Sequence, residues 1–375
     1  MKNNFFATCP KGLESVLLEE IQSFGAENIK STVGGVFFSG NLKTCYRANL
    51  ESRIATRILQ EIKSGFYKTE NDLYHLAKSV EWEYFFQVHK TFKISTQAIH
   101  CPLKSLNFVT LKIKDAVCDR FRQKTGERPN VQNLEPNVRI AVFLTHNRAT
   151  LYLDSSGAPL FARGLRKKSV LAPIKENLAA GILKLLNWQE NQALFDPLCG
   201  SGTFLLEALL MAHNIAPGKN RNFSFENWRI FDENLWQNLK KIAIENEKQP
   251  QNLNIFGSDI DEKALFATKM NLKNAGFSIP LKQQNILDAQ ASVENGLMLG
   301  NPPYGERLNE WDDNFHAQLA QTLKKHWSTW QCAFLSADLD FPHKLRLKPK
   351  RKIPLFNGAL DCRLFLFPMV KGSNR

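Results

Sequence analysis

The sequence predicts an α/β fold in which a parallel sheet wound with helices fills the C-terminal half, behind a smaller α+β module. Three observations carry this. The chain has 375 residues, more than one ordinary core organises, so roughly two or three domains are expected. From Ala193 onward short apolar runs alternate with stretches of helical spacing, the pattern of strands joined by crossover helices. Before that point strands, helices and a hairpin signal follow one another without strict alternation.

Residues 5–38 read as strand, helix, strand: an apolar start, then Leu13, Val16, Leu17, Glu20 and Ile21 at helical spacing, then Gly34-Gly35-Val36-Phe37-Phe38. A helix is expected over 42–50, with Arg47, Arg53 and Arg57 adding positive charge beside it. Further elements are a helix over 73–80, a strand over 91–96 and a long helix over 107–124. That helix carries Lys112, Lys114, Arg120, Arg122 and Lys124, with Arg128 beyond it. Such a row is either a solvated face or a grip on phosphates. Strands over 138–145 and 149–154 flank His146-Asn147-Arg148, a hairpin signal.

The stretch 161–169 is strongly basic through Arg163, Arg166, Lys167 and Lys168, and a helix is expected to open after it at Pro173. Strands then fall at 193–195, 254–257, around 280–284, 296–299 and 331–336, with helices over 202–213 and 262–275. Asn357-Gly358 lies between apolar runs and predicts a hairpin that closes the sheet. The domain scheme is 1–65, 66–158, a basic linker and leading helix over 159–190, and a C-terminal domain over 191–375.

Hydrophobic residues make up 43% and charged residues 23%, a globular composition that excludes disordered and fibrous classes. Lys and Arg outnumber Asp and Glu by 49 to 36, a net charge of +13, which concentrates polyanions near the surface or simply serves solubility. Seven scattered cysteines contain no C-x-x-C pair, so a reducing cytoplasm without structural zinc is expected. Neither a signal peptide nor a membrane span is read, and no metal site.

Asp196-Pro197-Leu198-Cys199-Gly200-Ser201-Gly202-Thr203 ends a strand and leads into a helix, where α/β folds bind ligands. Its glycines let backbone approach a bulky cofactor, and the helix N-terminus offers N–H groups to an anion. The lysine of a phosphate loop and the third glycine of a dinucleotide fingerprint are missing, which disfavours ATP and NAD. Asp259, at the end of the next strand with Ile260 after it, is placed to accept ribose hydroxyls; Asp261 reads instead as a helix cap. Asn285 and Asp288 follow a third strand, where an adenine would lie.

The most specific element is Asn301-Pro302-Pro303-Tyr304, after the apolar strand 296–299. Two prolines bar regular structure and aim their neighbours rigidly. An exocyclic amine on a nucleobase is a poor nucleophile because its lone pair is delocalised into the ring. Acceptors that favour a tetrahedral nitrogen, here Asn301 Oδ1 and the Pro302 carbonyl, would activate it. Tyr304 would stack the extruded base, a contact worth about 1–3 kcal/mol.

Across these motifs the sequence resembles the class I methyltransferases joined to a THUMP domain, especially the guanine-N2 half of the bacterial 23S rRNA methyltransferase L family. The likeness spans nearly the whole chain. Its further anchors are Thr125-Gly126-Glu127-Arg128-Pro129, Leu151–Gly157, Ala172–Asn177, Gly305-Glu306-Arg307-Leu308 and Asn357-Gly358. It implies a ferredoxin-like unit over 1–65, a THUMP domain over 66–158 that holds RNA, and a Rossmann-like domain that holds S-adenosyl-L-methionine. By this likeness Asp196, Gly200 and Gly202, with Pro197, Cys199, Ser201 and Thr203 beside them, line the methionine part. Asp259 and Ile260 take the ribose, Asn285 the adenine, and Asn301 completes the cofactor site. Such enzymes often carry Asp where Asn285 stands, which leaves Asp288 as a substitute. Arg120, Arg122, Lys124, Arg128, Arg163, Arg166, Lys167 and Lys168 are the RNA-binding candidates. The partner implied is 23S rRNA or a large-subunit precursor. One catalytic domain, where the fused bacterial enzyme has two, implies a single activity. The alternatives are guanine-N2 methylation of tRNA, adenine-N6 or cytosine-N4 methylation of DNA, and a non-catalytic RNA-binding ribosome-assembly factor.

Overall fold

The computed structural model describes residues 2–166, 174–303 and 311–370. The chain forms two compact units, one of Met1–Cys9, Leu17–Leu160 and Gly218–Ile242, the other of Pro10–Val16, Phe161–Pro217 and Ala243–Arg375.

The first unit is built on one seven-stranded sheet. Its elements are β1 (Asn3–Thr8), α1 (Glu14–Ser23), β2 (Glu27–Thr32), β3 (Gly35–Gly40), α2 (Leu42–Glu51), β4 (Arg57–Phe66), α3 (Glu70–Lys78), α4 (Trp82–Phe85), β5 (Phe92–Ala98), α5 (Leu106–Thr125), β6 (Val138–Leu144) and β7 (Arg148–Asp154). The strand order is β2-β3-β1-β4-β7-β6-β5. β4 joins the two halves of this sheet: Arg57–Gln60 pair with β1, and Leu59–Phe66 pair with β7 across a register shift between Glu61 and Lys63. Sequence reading passes over β4 and β2 because neither alternates cleanly. β2 is nearly all polar and exposed, and β4 changes burial pattern midway.

The Asp154-Ser155-Ser156-Gly157 turn ties β7 to its surroundings. Asp154 accepts from the Ser156 and Gly157 amides and pairs with Arg57. Ser155 and Ser156 both bond to the buried Asn49 on α2. These residues therefore act as a structural junction. Arg57 is committed there, and Arg47 pairs with Glu51, so the positive charge expected around α2 is largely neutralised in place.

The second unit starts with α6 (Glu176–Leu185), β8 (Ala193–Asp196) and α7 (Thr203–Ala212). Pro173, where a helix was expected to open, lies outside the described residues, and α6 begins at Glu176. After α7 the chain returns to the first unit over Gly218–Ile242, whose last part belongs to α8 (Glu233–Glu245). Aromatic packing anchors this return: Phe225 stacks on Tyr46 with ring centres 4.4 Å apart, and Trp236 meets Phe225 edge-on at 5.1 Å. The Phe225 amide also donates to the Ser155 carbonyl at 3.1 Å.

The chain then completes the second unit with β9 (Ile255–Asp259), α9 (Glu262–Asn274), β10 (Leu281–Gln283), β11 (Gly296–Gly300), α10 (Asp313–His326), β12 (Gln331–Ser336), α11 (Phe341–Lys344), β13 (Arg351–Asn357) and β14 (Leu360–Pro368). Its sheet runs β10-β9-β8-β11-β12-β14-β13. The first five strands are mutually parallel, and the β13–β14 hairpin adds two antiparallel strands at the other edge. Strand order reverses between β8 and β11, and such a switch point opens a crevice beyond the strands' carboxyl ends. One face of the sheet carries a core in which Phe195 stacks on Trp327 at 5.0 Å. The indoles of Trp327 and Trp330 donate to the Ala289 and Val293 carbonyls, which holds the segment after β10 in place.

Candidate active site

The crevice at the switch point collects the motifs. β8 and β11 pair in parallel with Met298 opposite Phe195. Continuing that register sets Asp196 level with Leu299, so Asn301 lies two residues beyond it. Gly300 keeps the loops close: a β-carbon there would meet the Phe334 ring at 3.3 Å and Leu198 Cδ1 at 3.5 Å. The Asn-Pro-Pro corner and the glycine turn are thus neighbours.

The turn itself is shaped by two left-handed glycines, Gly200 (φ 54°) and Gly202 (φ 78°), a conformation that side-chained residues adopt only at a cost. Gly202 also lies against α9, where an added β-carbon would come within 2.8 Å of Thr268 Cγ2. Asp259 Oδ2 accepts the Gly200 amide at 2.8 Å, Thr268 Oγ1 donates to the Gly200 carbonyl at 2.8 Å and Asn271 Nδ2 to the Ser201 carbonyl at 3.0 Å. Sequence reasoning missed Thr268 and Asn271. Their spacing of three on a helix, which puts both on one face, was the available signal. Pro197 contributes its carbonyl, which accepts from Ser258 Oγ at 3.5 Å.

Burial sets the electrostatics. Asp196 is 1% exposed, and its single hydrogen bond among the described residues comes from the Leu198 amide at 3.1 Å. Burial, with the nearby Asp259 charge adding to it, holds the Asp196 carboxyl well above the usual carboxylate range. Asp259 is also raised by burial, against the Asp261 and Gly200 amides that favour its charged form. Cys199 is buried and its thiol is pushed up by that burial, so it fills space and is no nucleophile.

Ile260 is 59% exposed next to Asp259. Asp261 caps α9 by accepting the Lys263 amide, as the sequence suggests. Asn285 caps a single 3₁₀ turn over Ile286–Asp288, with Oδ1 accepting the Leu287 amide at 3.0 Å, while Asp288 is exposed. On the corner, Pro302 is buried, Pro303 is partly so, and Asn301 Oδ1 is buried without a hydrogen-bond partner among the described residues. A buried orphan acceptor is costly unless something else supplies its donor. Tyr304, Lys167 and Lys168 lie outside the described residues.

The basic candidates divide sharply. Arg163 is 2% exposed and paired with Glu207, and Arg166 bonds Thr203 Oγ1 and pairs with Glu176. Arg120 is held by Glu83. These three guanidiniums are engaged with protein carboxylates. Arg122, which pairs with Asp119 at 2.8 Å, Lys124 and Arg128 stay exposed around the end of α5, where Gly126 in the left-handed region terminates the helix. Among the described residues no group of three or more His, Cys, Asp or Glu could hold a metal ion, and no helix is long and apolar enough to cross a membrane.

Comparison with known proteins agrees with this geometry. Residues 163–365 match the family described as RMKL-like, methyltransferase domain, residues 67–154 the THUMP domain, and residues 4–59 the RlmL ferredoxin-like domain. The chain is 38% identical, over 99% of its length, to the ribosomal RNA large subunit methyltransferase K/L of Shewanella frigidimarina (strain NCIMB 400), and it spans 54% of that protein. It therefore covers about half the length of the curated relatives it matches. The crystal structure of SMU.472 complexed with SAH superposes with a TM-score of 0.90 at 30% identity, covering 99% of each chain. A protein from Listeria monocytogenes str. 4b F2365, termed a predicted N6-adenine-specific DNA methylase, superposes with a TM-score of 0.89 at 29% identity over 98% of this chain and 97% of its own.

Proposed function

The chain belongs to the RMKL-like methyltransferase-domain family, and from that premise we propose that it methylates the exocyclic N2 amine of a guanine in large-subunit (23S) ribosomal RNA, with S-adenosyl-L-methionine as donor. The observation that carries the reading is the pairing of β8 with β11, which sets a buried Asn301 Oδ1, unpartnered among the described residues, beside the Asp196–Gly202 turn.

The residues fit such a donor. The carboxyl groups of the buried Asp196 and the half-buried Asp259 are raised and lack a cationic partner among the described residues, so a ligand that brings an ammonium group and ribose hydroxyls would satisfy them. When bound, the donor supplies a methyl group on an electron-poor sulfonium. Gly200 and Gly202 leave room for its methionine part, Asp259 accepts from the ribose, and Asn285 meets the adenine. Asn301 Oδ1 and the Pro302 carbonyl accept the N–H bonds of the target amine and favour its tetrahedral form, and Tyr304 stacks the flipped base. The work is positioning and electrostatic complementarity.

An RNA substrate is supported by the THUMP match and by the name of the Shewanella relative; ribosomal RNA would make the cytoplasm the place of action. The Listeria relative's name favours a DNA amine as the second reading. Transfer of a tritiated methyl group to rRNA, tRNA and DNA, followed by mass spectrometry of the nucleosides, decides between them. N2-methylguanosine in rRNA is expected, and label in DNA alone would overturn the proposal.

A further inference from the structure

Arg163 and Arg166 meet one face of α7. Arg163 Nε donates to Glu207 Oε1 at 3.3 Å, and Arg166 Nη1 donates to Thr203 Oγ1 at 3.1 Å, one helical turn nearer the N-terminus. Only the Arg166 rung touches the site. Thr203 is the first residue of α7, directly after the left-handed Gly202, and α7 starts without a side-chain cap. Arg166 makes two further contacts: Nη1 donates to the Ile174 carbonyl at 3.1 Å, and Nη2 pairs with Glu176 Oε1 at 3.3 Å. The guanidinium thus joins three points, the Ile174 backbone, the first residue of α6 and the first residue of α7.

This is an unusual place for a cation. A positive charge near the N-terminus of a helix opposes the helix dipole, so Arg166 needs a nearby anion to offset it. Glu176 supplies that charge at a cost of its own: burial raises its carboxyl against the pull of Arg166, the adjacent Glu207 raises it further, and its Oε2 has no hydrogen-bond partner among the described residues. A lone ion pair of this kind contributes little net stability. Its geometry points to another role. The Gly200-Ser201-Gly202 backbone is held by the Asp259 carboxyl at the Gly200 amide and by α9 at the Gly200 and Ser201 carbonyls. The next residue along, Thr203, is secured by Arg166.

We propose that Arg166 is a positioning residue for donor binding: by fixing Thr203 against Glu176 and Ile174 it holds the glycine turn in the shape that receives S-adenosyl-L-methionine. The inference rests on the donor assigned above. Arg163 and Glu207, one turn deeper, serve stability only.

Calorimetric titration of the full chain with S-adenosylhomocysteine, paired with thermal melts, tests this. Arg166→Lys keeps the charge but loses the three-way fork, and Thr203→Val removes the hydroxyl at nearly constant volume. Each is expected to weaken binding about ten-fold, the scale of one charge-assisted hydrogen bond, and the double variant is expected to bind no worse than the weaker single one. Methyl transfer at saturating donor should keep its kcat while the donor KM rises. Glu207→Gln is expected to lower the melting temperature and leave binding unchanged. Wild-type affinity in Arg166→Lys and Thr203→Val, or an equal loss in Glu207→Gln, would overturn the inference while leaving the donor assignment intact. Failure of the wild-type protein to bind the probe overturns both.

Discussion

The amide of Gly200 donates to the carboxyl group of Asp259 at 2.8 Å, so the glycine turn after β8 and the acid at the end of β9 form one unit. Together with the α9 bonds to the Gly200 and Ser201 carbonyls, it fixes the turn at Gly200 and at Ser201, the neighbour of both left-handed glycines. It also leaves Asp259 one occupied oxygen and a second engaged by the Asp261 amide at 3.0 Å, each with lone-pair capacity to spare for a ligand.

Asn301→Ala should lower methyl transfer by about 10²–10³-fold, the usual cost of removing one preorganised polar group. Binding of RNA and of S-adenosylhomocysteine should persist, because Asn301 acts on the reacting amine. Filter binding and single-turnover rates separate the two effects, and loss of RNA binding would refute the role.

Gly202→Ala forces a side chain into the left-handed region and against Thr268. A loss of about 1–3 kcal/mol in unfolding free energy is expected from the backbone alone. Denaturant titration measures it. Pairing the change with Thr268→Ser, which removes the methyl group in the way, should recover only part of the loss; full recovery would mean that the clash, and not φ, sets the cost.

Asp196 gives the ligand-free protein a pH signature. Its carboxyl is raised in the folded state, so the fold binds an extra proton above the ordinary aspartate value of about 3.9. That contribution to stability is present at low pH and is lost as pH rises through the raised value. Asp196→Asn cannot titrate and should gain stability relative to the parent across that window while losing donor binding. Melting temperatures of both proteins as a function of pH provide the check, and a pH-independent difference would contradict the assignment.

Asn285 and Asp288 can be told apart. Asn285→Ala should lose its cap, worth about 1 kcal/mol, and also weaken S-adenosylhomocysteine binding. Asp288→Ala, at an exposed position, should leave both unchanged. Calorimetry with melts decides, and the reverse ranking would move the adenine contact to Asp288.

Charge reversal of Arg122, Lys124 and Arg128 should weaken RNA affinity and flatten its salt dependence, by a slope of roughly 0.7–0.9 for each lost phosphate contact. Arg120→Met should lower the melting temperature and leave the salt slope alone, since Glu83 holds it. An unaltered slope in the triple variant would place the RNA surface elsewhere.

The C-terminal sheet was legible because its strands are short apolar runs bracketed by helical spacing, and because glycine and proline mark the turns that carry the motifs. The hairpin at Asn357-Gly358 was legible for the same reason, with Asn357 opposite Leu360. Four kinds of feature escaped. β2 is almost all polar, and β4 shifts register against β7 and changes burial pattern midway, so neither shows a clean period of two. The return over Gly218–Ile242 depends on aromatic packing with Tyr46, a residue far away in sequence. The fates of Arg120, Arg163 and Arg166 were set by carboxylates on other elements, and composition cannot tell a solvated arginine from a paired one. Thr268 and Asn271 act through backbone carbonyls, which no motif records.

The return of Gly218–Ile242 also sets an order of events during synthesis. Tyr46 and Ser155 wait for Phe225, so the N-terminal unit cannot close until the ribosome has made the first strand and helix of the catalytic sheet. At about 5–20 residues per second this delay lasts several seconds, during which unfinished aromatic surface is exposed to chaperones and to other nascent chains. A truncation that stops at the end of the N-terminal sheet would make that transient exposure permanent.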